Sequence, residues 1–166
     1  MGITINKLFT GLLTTGAVLF IAACGKNQSD VDNAELTAFR TKVDTFCDSI
    51  IQIDNNINSN NISDDDYSVK LLAELDKLNS DFNDFAQYDF PSDYDYLEDI
   101  ADEAAVYMNS AVVSYHDIFE NEYSNEEIDK KTITATNDYA SAYKRIKVII
   151  SFLNGEISDD ATISYQ

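Results

Sequence analysis

Residues 124–155 indicate the fold most clearly, and they read SNEEIDKKTITATNDYASAYKRIKVIISFLNG. Ser124 is followed three residues later by Glu127, which is the capping-box pattern of a helix start. Gly155 ends the stretch, and glycine is the residue that most often adopts the left-handed conformation after a helix. Between these two signals, uncharged residues recur at spacings of three and four, which predicts one long helix with a single buried stripe. The stripe comprises Ile128, Thr132, Ala135, Tyr139, Ala142, Ile146, Ile149 and Leu153.

Three earlier segments repeat this spacing. With the last segment they give 27 stripe positions, and none is charged in a chain whose charged fraction is 25%. The mean spacing of about 3.5 residues is typical of helices that pack with a left-handed twist. The earlier stripes are Leu36, Phe39, Val43, Phe46, Ile50, Ile53 and Ile57, then Leu71, Leu75, Leu78, Phe82 and Phe85, then Leu97, Ile100, Ala104, Tyr107, Ala111, Ser114 and Ile118.

Glycine and proline are scarce after residue 23. The only ones there are Gly25, Gly155 and Pro91, too few for the turns of a β-sandwich or a doubly wound α/β domain. The predicted connections, 58–62, 88–91 and 121–123, are short and therefore favour antiparallel neighbours. We predict an all-α fold, an antiparallel up-down four-helix bundle over residues 32–155. Ser63 and Ser92 are the predicted N-caps of the second and third helices.

The N-terminus has the order of a secretory signal peptide. Lys7 is followed by an apolar run that begins at Leu8 and ends in the small residues Ala22 and Ala23. This run is too short to span a bilayer comfortably, because about 20 residues are needed. The run ends in Ile21-Ala22-Ala23-Cys24, which resembles the lipobox of bacterial lipoproteins.

This resemblance implies cleavage before Cys24 and attachment of diacylglycerol, with its palmitate-type acyl chains, to the Cys24 sulfur. The expected organisation is a signal peptide at 1–23, the lipidated cysteine and a tether at 24–31, the bundle at 32–155 and a flexible tail at 156–166. More loosely, the whole chain resembles small helical lipoproteins of Gram-positive bacteria. That resemblance implies no particular activity.

Charge restricts the partners of the mature chain. Cleavage would remove one of the 11 Lys and Arg residues and none of the 30 Asp and Glu residues, which leaves a net charge of −20. Such a surface is repelled by nucleic acid and by anionic headgroups, so we predict no nucleic-acid partner. Membrane attachment would then depend on the lipid anchor on Cys24, and two acyl chains suffice for stable attachment. The expected location is the extracytoplasmic side of the cell membrane.

The sequence does not suggest catalysis. His116, the one histidine, lies opposite its stripe and is expected to be exposed and unpaired, while Cys47 is expected to be a small buried hydrophobe. No base is left to activate Cys47, and the stripes lack the carboxylates and histidines of a di-iron or zinc site. We therefore predict no enzyme, no catalytic residue, no metal site and no cofactor.

A calcium loop is a weaker possibility. Residues 54–65 place oxygen ligands at positions 1, 3 and 5 of an EF-hand-like loop that begins at Asp54 and has Asp65 at position 12. Ser59, however, replaces the glycine that the sharp turn requires. A helix end followed by a solvated turn is therefore the preferred interpretation.

Two features could form a binding surface. The third helix has a second apolar edge, which would be either a wider buried face or an exposed strip that binds a partner. Residues 88–96 alternate aromatic and acidic side chains, which could cap the core or bind a partner. The edge comprises Ala101, Ala105, Met108, Val112, Tyr115 and Phe119.

The leading functional hypothesis is a membrane-anchored, non-catalytic interaction or structural module of the cell envelope. It would hold an envelope protein or a glycan. A small-ligand or calcium-binding lipoprotein is the alternative. The predicted partner-binding residues are Tyr115, Phe119, Val112, Tyr94 and Tyr96.

Overall fold

The computed structural model describes residues 34–61 and 63–156, and every regular element within them is helical. The helices pack around one core, so the predicted all-α helical bundle is confirmed. The elements are α1 (Ala34–Ser59), α2 (Tyr67–Ala86), a short 3₁₀ turn (Asp95–Leu97), α3 (Glu98–Glu120) and α4 (Asn125–Leu153).

Parts of the predicted organisation fall outside this range. The signal peptide, Cys24 and the tether lie outside the described residues, as does the tail from residue 157 onward. The described helices run from Ala34 to Leu153. We find no helix among the described residues that is both long enough and apolar enough to cross a membrane.

The predicted stripes form the core. None of the 27 stripe residues is exposed, so the helical register predicted from spacing is confirmed. Most are fully buried, as expected when one face of each amphipathic helix turns toward its neighbours. The half-buried members are Leu36, Ile100, Tyr107, Ser114 and Thr132.

Large and small side chains occupy different parts of the core. Between α1 and α2, the ring of Phe46 stacks on Phe85 with centroids 4.3 Å apart and meets the edge of Phe82 at 5.4 Å. Helices α3 and α4 also bury small residues, including Ala111 and Ala142, both 0% exposed. Small residues let two helices approach closely, and α3 and α4 accordingly make the most extensive contact of any helix pair.

Side-chain hydrogen bonds between helices indicate the directions in which the helices run. As the residue number rises along one helix, the number of its hydrogen-bonded partner falls along the next helix, which favours antiparallel neighbours. The up-down topology stays a prediction, and these bonds support it. The pairs are Ser49–Asp81 and Asn56–Glu74, Asp76–His116 and Asn79–Asn109, and Ser110–Asp138 and Lys131–Asp117.

Both predicted terminal signals of α4 are confirmed. The Ser124 hydroxyl accepts a hydrogen bond from the Glu127 amide, and the Glu127 carboxylate accepts one from the Ser124 amide at 3.0 Å. After the helix, Gly155 takes φ = +70°. Its amide donates to Phe152 O, and the Glu156 amide donates to Ser151 O, both at 2.9 Å, so the last free carbonyls are satisfied.

The other two predicted helix starts are wrong. Helix α2 begins after Asp66 rather than after Ser63, because the Ser63 amide donates to the side chain of Asn61 in a local turn. Helix α3 begins at Glu98 rather than after Ser92, because the Tyr94 amide donates to Pro91 O and closes another turn first. In both places side-chain and turn chemistry delays the helix by about one turn.

Enlarging Ala111 tests the register of the core. Ala111 is 0% exposed, so Ala111→Phe should overfill the contact between α3 and α4 and cost about 1–3 kcal/mol of unfolding free energy. Val113→Phe is the matched control, since Val113 on the same helix is 59% exposed and should tolerate the larger ring. Thermal denaturation of both variants measures the difference. Equal melting temperatures would contradict the packing described above.

Candidate functional site

A carboxylate lies in the core of the bundle. Asp54 on α1 is only 6% exposed, and two tyrosines of α4 donate hydrogen bonds to it. Tyr139 Oη lies 2.7 Å from Asp54 Oδ1, and Tyr143 Oη lies 3.0 Å from Oδ1 and 3.1 Å from Oδ2. The two phenol rings stack with centroids 4.8 Å apart. These three residues form the Asp54 cluster, which joins the first helix to the last.

Burial controls the electrostatics of the Asp54 cluster. Desolvation raises the pKa of Asp54 above its usual 3.8, and the hydrogen bonds from Tyr139 and Tyr143 only partly offset it. Desolvation also raises the pKa values of both tyrosines well above 10, so they remain neutral donors near neutral pH. The cluster can therefore hold or release one proton, at Asp54.

The sequence did not predict the Asp54 cluster, and its weaker possibility, a calcium loop that begins at Asp54, does not fit the structure, whereas the preferred helix end followed by a turn does. Residues 54–59 are helical, and the Asp54 carboxylate points into the core rather than into a loop. A signal was present, because Asp54 follows the stripe residue Ile50 by four positions and precedes Ile57 by three. That spacing places it on the buried face. Among the residues the structure describes, no cluster of His, Cys, Asp and Glu suits a metal ion.

His116 is not unpaired, contrary to the prediction. Its side chain is 31% exposed and bridges two carboxylates: Nδ1 lies 2.8 Å from Glu120 on α3, and Nε2 lies 2.9 Å from Asp76 on α2. The hydrogen bonds to Glu120 and Asp76 raise the pKa of His116 above its usual 6.5. The imidazole, whose protonated form is favoured by both carboxylates, thus links α2 to α3. Cys47 is 1% exposed, so its predicted burial is confirmed.

The second apolar edge of α3 is a wider buried face. Tyr115 and Val112 are 2% and 3% exposed, so their prediction as partner-binding residues is wrong, because no partner can reach them in the folded bundle. Tyr115 Oη is hydrogen-bonded to Thr136 on α4, and burial raises the pKa of Tyr115 to about 12. Phe119 is half-buried and packs partly against the core.

The aromatic segment before α3 covers one end of the bundle. Phe90 is 4% exposed and packs on Phe39 of α1 with ring centroids 4.6 Å apart, so it caps the core. Tyr94 is half-buried, whereas Tyr96 is 40% exposed and meets Phe152 of α4 edge-on at 5.6 Å. We name Tyr94 and Tyr96 the tyrosine corner.

The predicted partner-binding residues do not form one surface. The tyrosine corner precedes α3, whereas Phe119 lies at the far end of that helix, roughly 33 Å away at about 1.5 Å per residue. Among the predicted partner-binding residues, only those of the tyrosine corner combine an exposed aromatic ring, Tyr96, with a fixed position on the bundle. Comparison of the chain with family models, curated proteins and solved structures gives no match.

The bridge at His116 should make stability depend on pH. The raised pKa means that its contribution is fully present below pH 6.5 and is lost as the pH rises through the raised value. We expect His116→Gln to lower the unfolding free energy by about 0.2–1 kcal/mol near pH ~5.5, and by much less near pH ~9. Urea denaturation at both pH values measures this difference.

Val113→Gln is the control for this experiment, because it changes an exposed position of α3 without altering a titratable group. Its effect should be the same at both pH values. A loss of stability in His116→Gln that did not change with pH would contradict the charged bridge.

Proposed function

We propose that this protein is a lipoprotein anchored to the cell membrane through Cys24. Its helical domain would lie on the extracytoplasmic side as a non-catalytic interaction or structural module of the envelope. The observation that carries the proposal is the sequence Ile21-Ala22-Ala23-Cys24 at the end of the apolar run. Two acyl chains on Cys24 would provide stable attachment despite the strongly acidic surface.

The geometry of the bundle relates this anchor to the tyrosine corner. Helix α1 begins at Ala34, ten residues after Cys24, and ten extended residues reach at most about 35 Å. The start of α1 is at the same end of the bundle as the tyrosine corner, because Phe39 contacts Phe90 and Arg40 Nη2 donates to Leu153 O at 2.6 Å. A Cys24 anchor would therefore hold the tyrosine corner on the side of the domain nearest the membrane.

The tyrosine corner is suited to binding a partner at that end. Contact with Phe152 restrains the Tyr96 ring, so less side-chain entropy is lost when a partner covers it. A phenol also combines an apolar ring with a polar tip, which explains the frequency of tyrosine at binding interfaces. Exposed carboxylates at Asp93 and Asp95 flank the rings. An envelope protein or a glycan is the partner class proposed for this surface.

Membrane attachment should require Cys24. The Cys24→Ala protein should lose its acyl chains and move from the membrane fraction to the soluble or mis-sorted fraction, because the acidic domain has no other proposed contact with lipid. Cys47→Ala is the matched control, since Cys47 is the only other cysteine and is buried in the bundle. Fractionation of cells followed by intact-mass measurement gives the readout. Wild-type membrane attachment of Cys24→Ala would refute the anchor.

The partner surface can be tested by site-specific photo-crosslinking in living cells. A photoreactive residue at position 96 should give a reproducible crosslinked species that diminishes on Tyr94→Ala. The control is the same photoreactive residue at position 106, where Val106 is 68% exposed on the outer side of α3. Identical products from the two positions would contradict a specific role for the tyrosine corner. No specific observation in the bundle favours the small-ligand alternative, which stays a prediction.

A further inference from the structure

The proposed function does not explain why a carboxylate lies in the core between α1 and α4. Carboxylates are almost never fully buried unless they are paired with a cation or a metal ion. The hydrogen-bond donors to Asp54 are both phenols, which are uncharged near neutral pH. Within residues 34–61 and 63–156, no lysine, arginine or histidine forms an ion pair with it. An ionised Asp54 is therefore a buried charge without a compensating cation.

Among the described residues, the groups on other helices that influence the pKa values of the Asp54 cluster are all phenols. From α4 come Tyr139 and Tyr143, which are in direct contact with the carboxylate. Tyr115 on α3 raises the pKa of Tyr139 electrostatically, and Tyr67 on α2 does the same to the pKa of Tyr115. The pKa values of all four phenols are raised above 10, so none of them changes charge below that pH. Within the cluster, only Asp54 titrates between acidic and neutral pH.

We propose that Asp54 is a proton-controlled latch between α1 and α4. When its carboxyl group is protonated, the two tyrosines hold a neutral group in the core and α1 is closed against α4. When the group ionises, the charge is better solvated in water than in the core, so the packing of α1 opens locally. The latch concerns the conformation of the bundle and does not depend on the lipid anchor.

The sign of the effect follows from linkage. A folded-state pKa above 3.8 means that the closed state binds the Asp54 proton more tightly than the open state does. The stabilisation is complete below pH 3.8 and is lost as the pH rises through the raised value. Opening should therefore become more frequent toward neutral pH.

Cys47 provides a reporter for this opening. Its thiol is 1% exposed and lies on α1, seven residues before Asp54 and hence about two turns away on the same face. A thiol reagent can reach it only when α1 separates from the rest of the core. In the full-length chain with Cys24→Ala, Cys47 is the only cysteine, so the labelling rate reports on this position alone.

The experiment compares this background with its Asp54→Asn derivative at a series of pH values. Thiol ionisation and the titration of His116 are common to both proteins, so they cancel in the ratio of labelling rates. Asparagine keeps the shape and hydrogen-bonding capacity of the side chain but cannot ionise. The ratio of background to Asp54→Asn should rise roughly threefold or more between pH ~3, below the ordinary pKa of the carboxyl group, and pH ~8, and then reach a plateau.

Asp48→Asn is the matched control, because Asp48 is an exposed acid on the same helix and its replacement removes the same charge. The ratio of background to this control should stay near one throughout. A ratio to Asp54→Asn that did not change with pH, or that fell as the pH rose, would overturn the latch.

Tyr143→Phe gives a second test that does not depend on how well asparagine fits. It removes the donor that reaches both oxygens of Asp54 while keeping the ring. An ionised carboxylate needs this donor more than a protonated one does. Labelling of Cys47 should therefore accelerate more near pH ~8, where the carboxylate is ionised, than near pH ~3, where it is protonated. An equal acceleration at the two pH values would mean that the Tyr143 hydroxyl stabilises the packing whether or not Asp54 is ionised. That result would also overturn the latch.

Discussion

The four uncharged stripes hold this strongly acidic chain in a compact fold. The chain has 30 acidic residues and 11 basic ones, so a compact state must overcome considerable self-repulsion. It does so by keeping charge off all 27 stripe positions; among the described residues, Asp54 and Arg145 are the buried charged side chains. Aromatic rings on α1 and α2 fill the wider space, and alanines on α3 and α4 allow close approach. The capping box and Gly155 close the ends of a helix that this packing stabilises.

The Asp54 cluster places a carboxyl group beside these uncharged stripes. Its hydrogen bonds require one relative position of α1 and α4, which apolar contacts alone do not. Apolar contacts are non-directional, so they depend less on the axial position of a helix. A buried carboxylate and two phenols are satisfied only when their oxygen atoms lie within hydrogen-bonding distance. A shift of α1 by one turn, about 5.4 Å, would break every hydrogen bond to Asp54 and leave its buried carboxylate without partners, whereas Tyr139 and Tyr143 would keep the bond between their hydroxyls. The Asp54 cluster therefore favours one axial position of α1 against α4 as well as controlling the response to protons.

The sequence predicted what depends on one helix at a time. Spacing identified the buried face of each segment, and local patterns identified both ends of α4. It did not predict contacts between residues of different helices. His116 is hydrogen-bonded to Asp76, 40 residues away, and Asp54 accepts a hydrogen bond from Tyr139, 85 residues away. Periodicity says which way a side chain faces on its own helix, but not which residue faces it from the next. The second edge of α3 shows the same limit, because its burial depends on how closely α4 approaches.

The bond between Arg40 and Leu153 has a mechanical consequence. If Cys24 is held in a membrane, tension along the tether acts on the first turns of α1. There Arg40 donates a hydrogen bond to the carbonyl of Leu153, the last residue of α4. A load resisted at the distant end of the bundle would shear α1 along its full length and strain the whole core. A load resisted at the tyrosine corner would pass through the contact between Phe39 and Phe90 and through the Arg40–Leu153 bond, which lies next to Phe152 under the Tyr96 ring. Binding at that end would leave the remaining helices free of force.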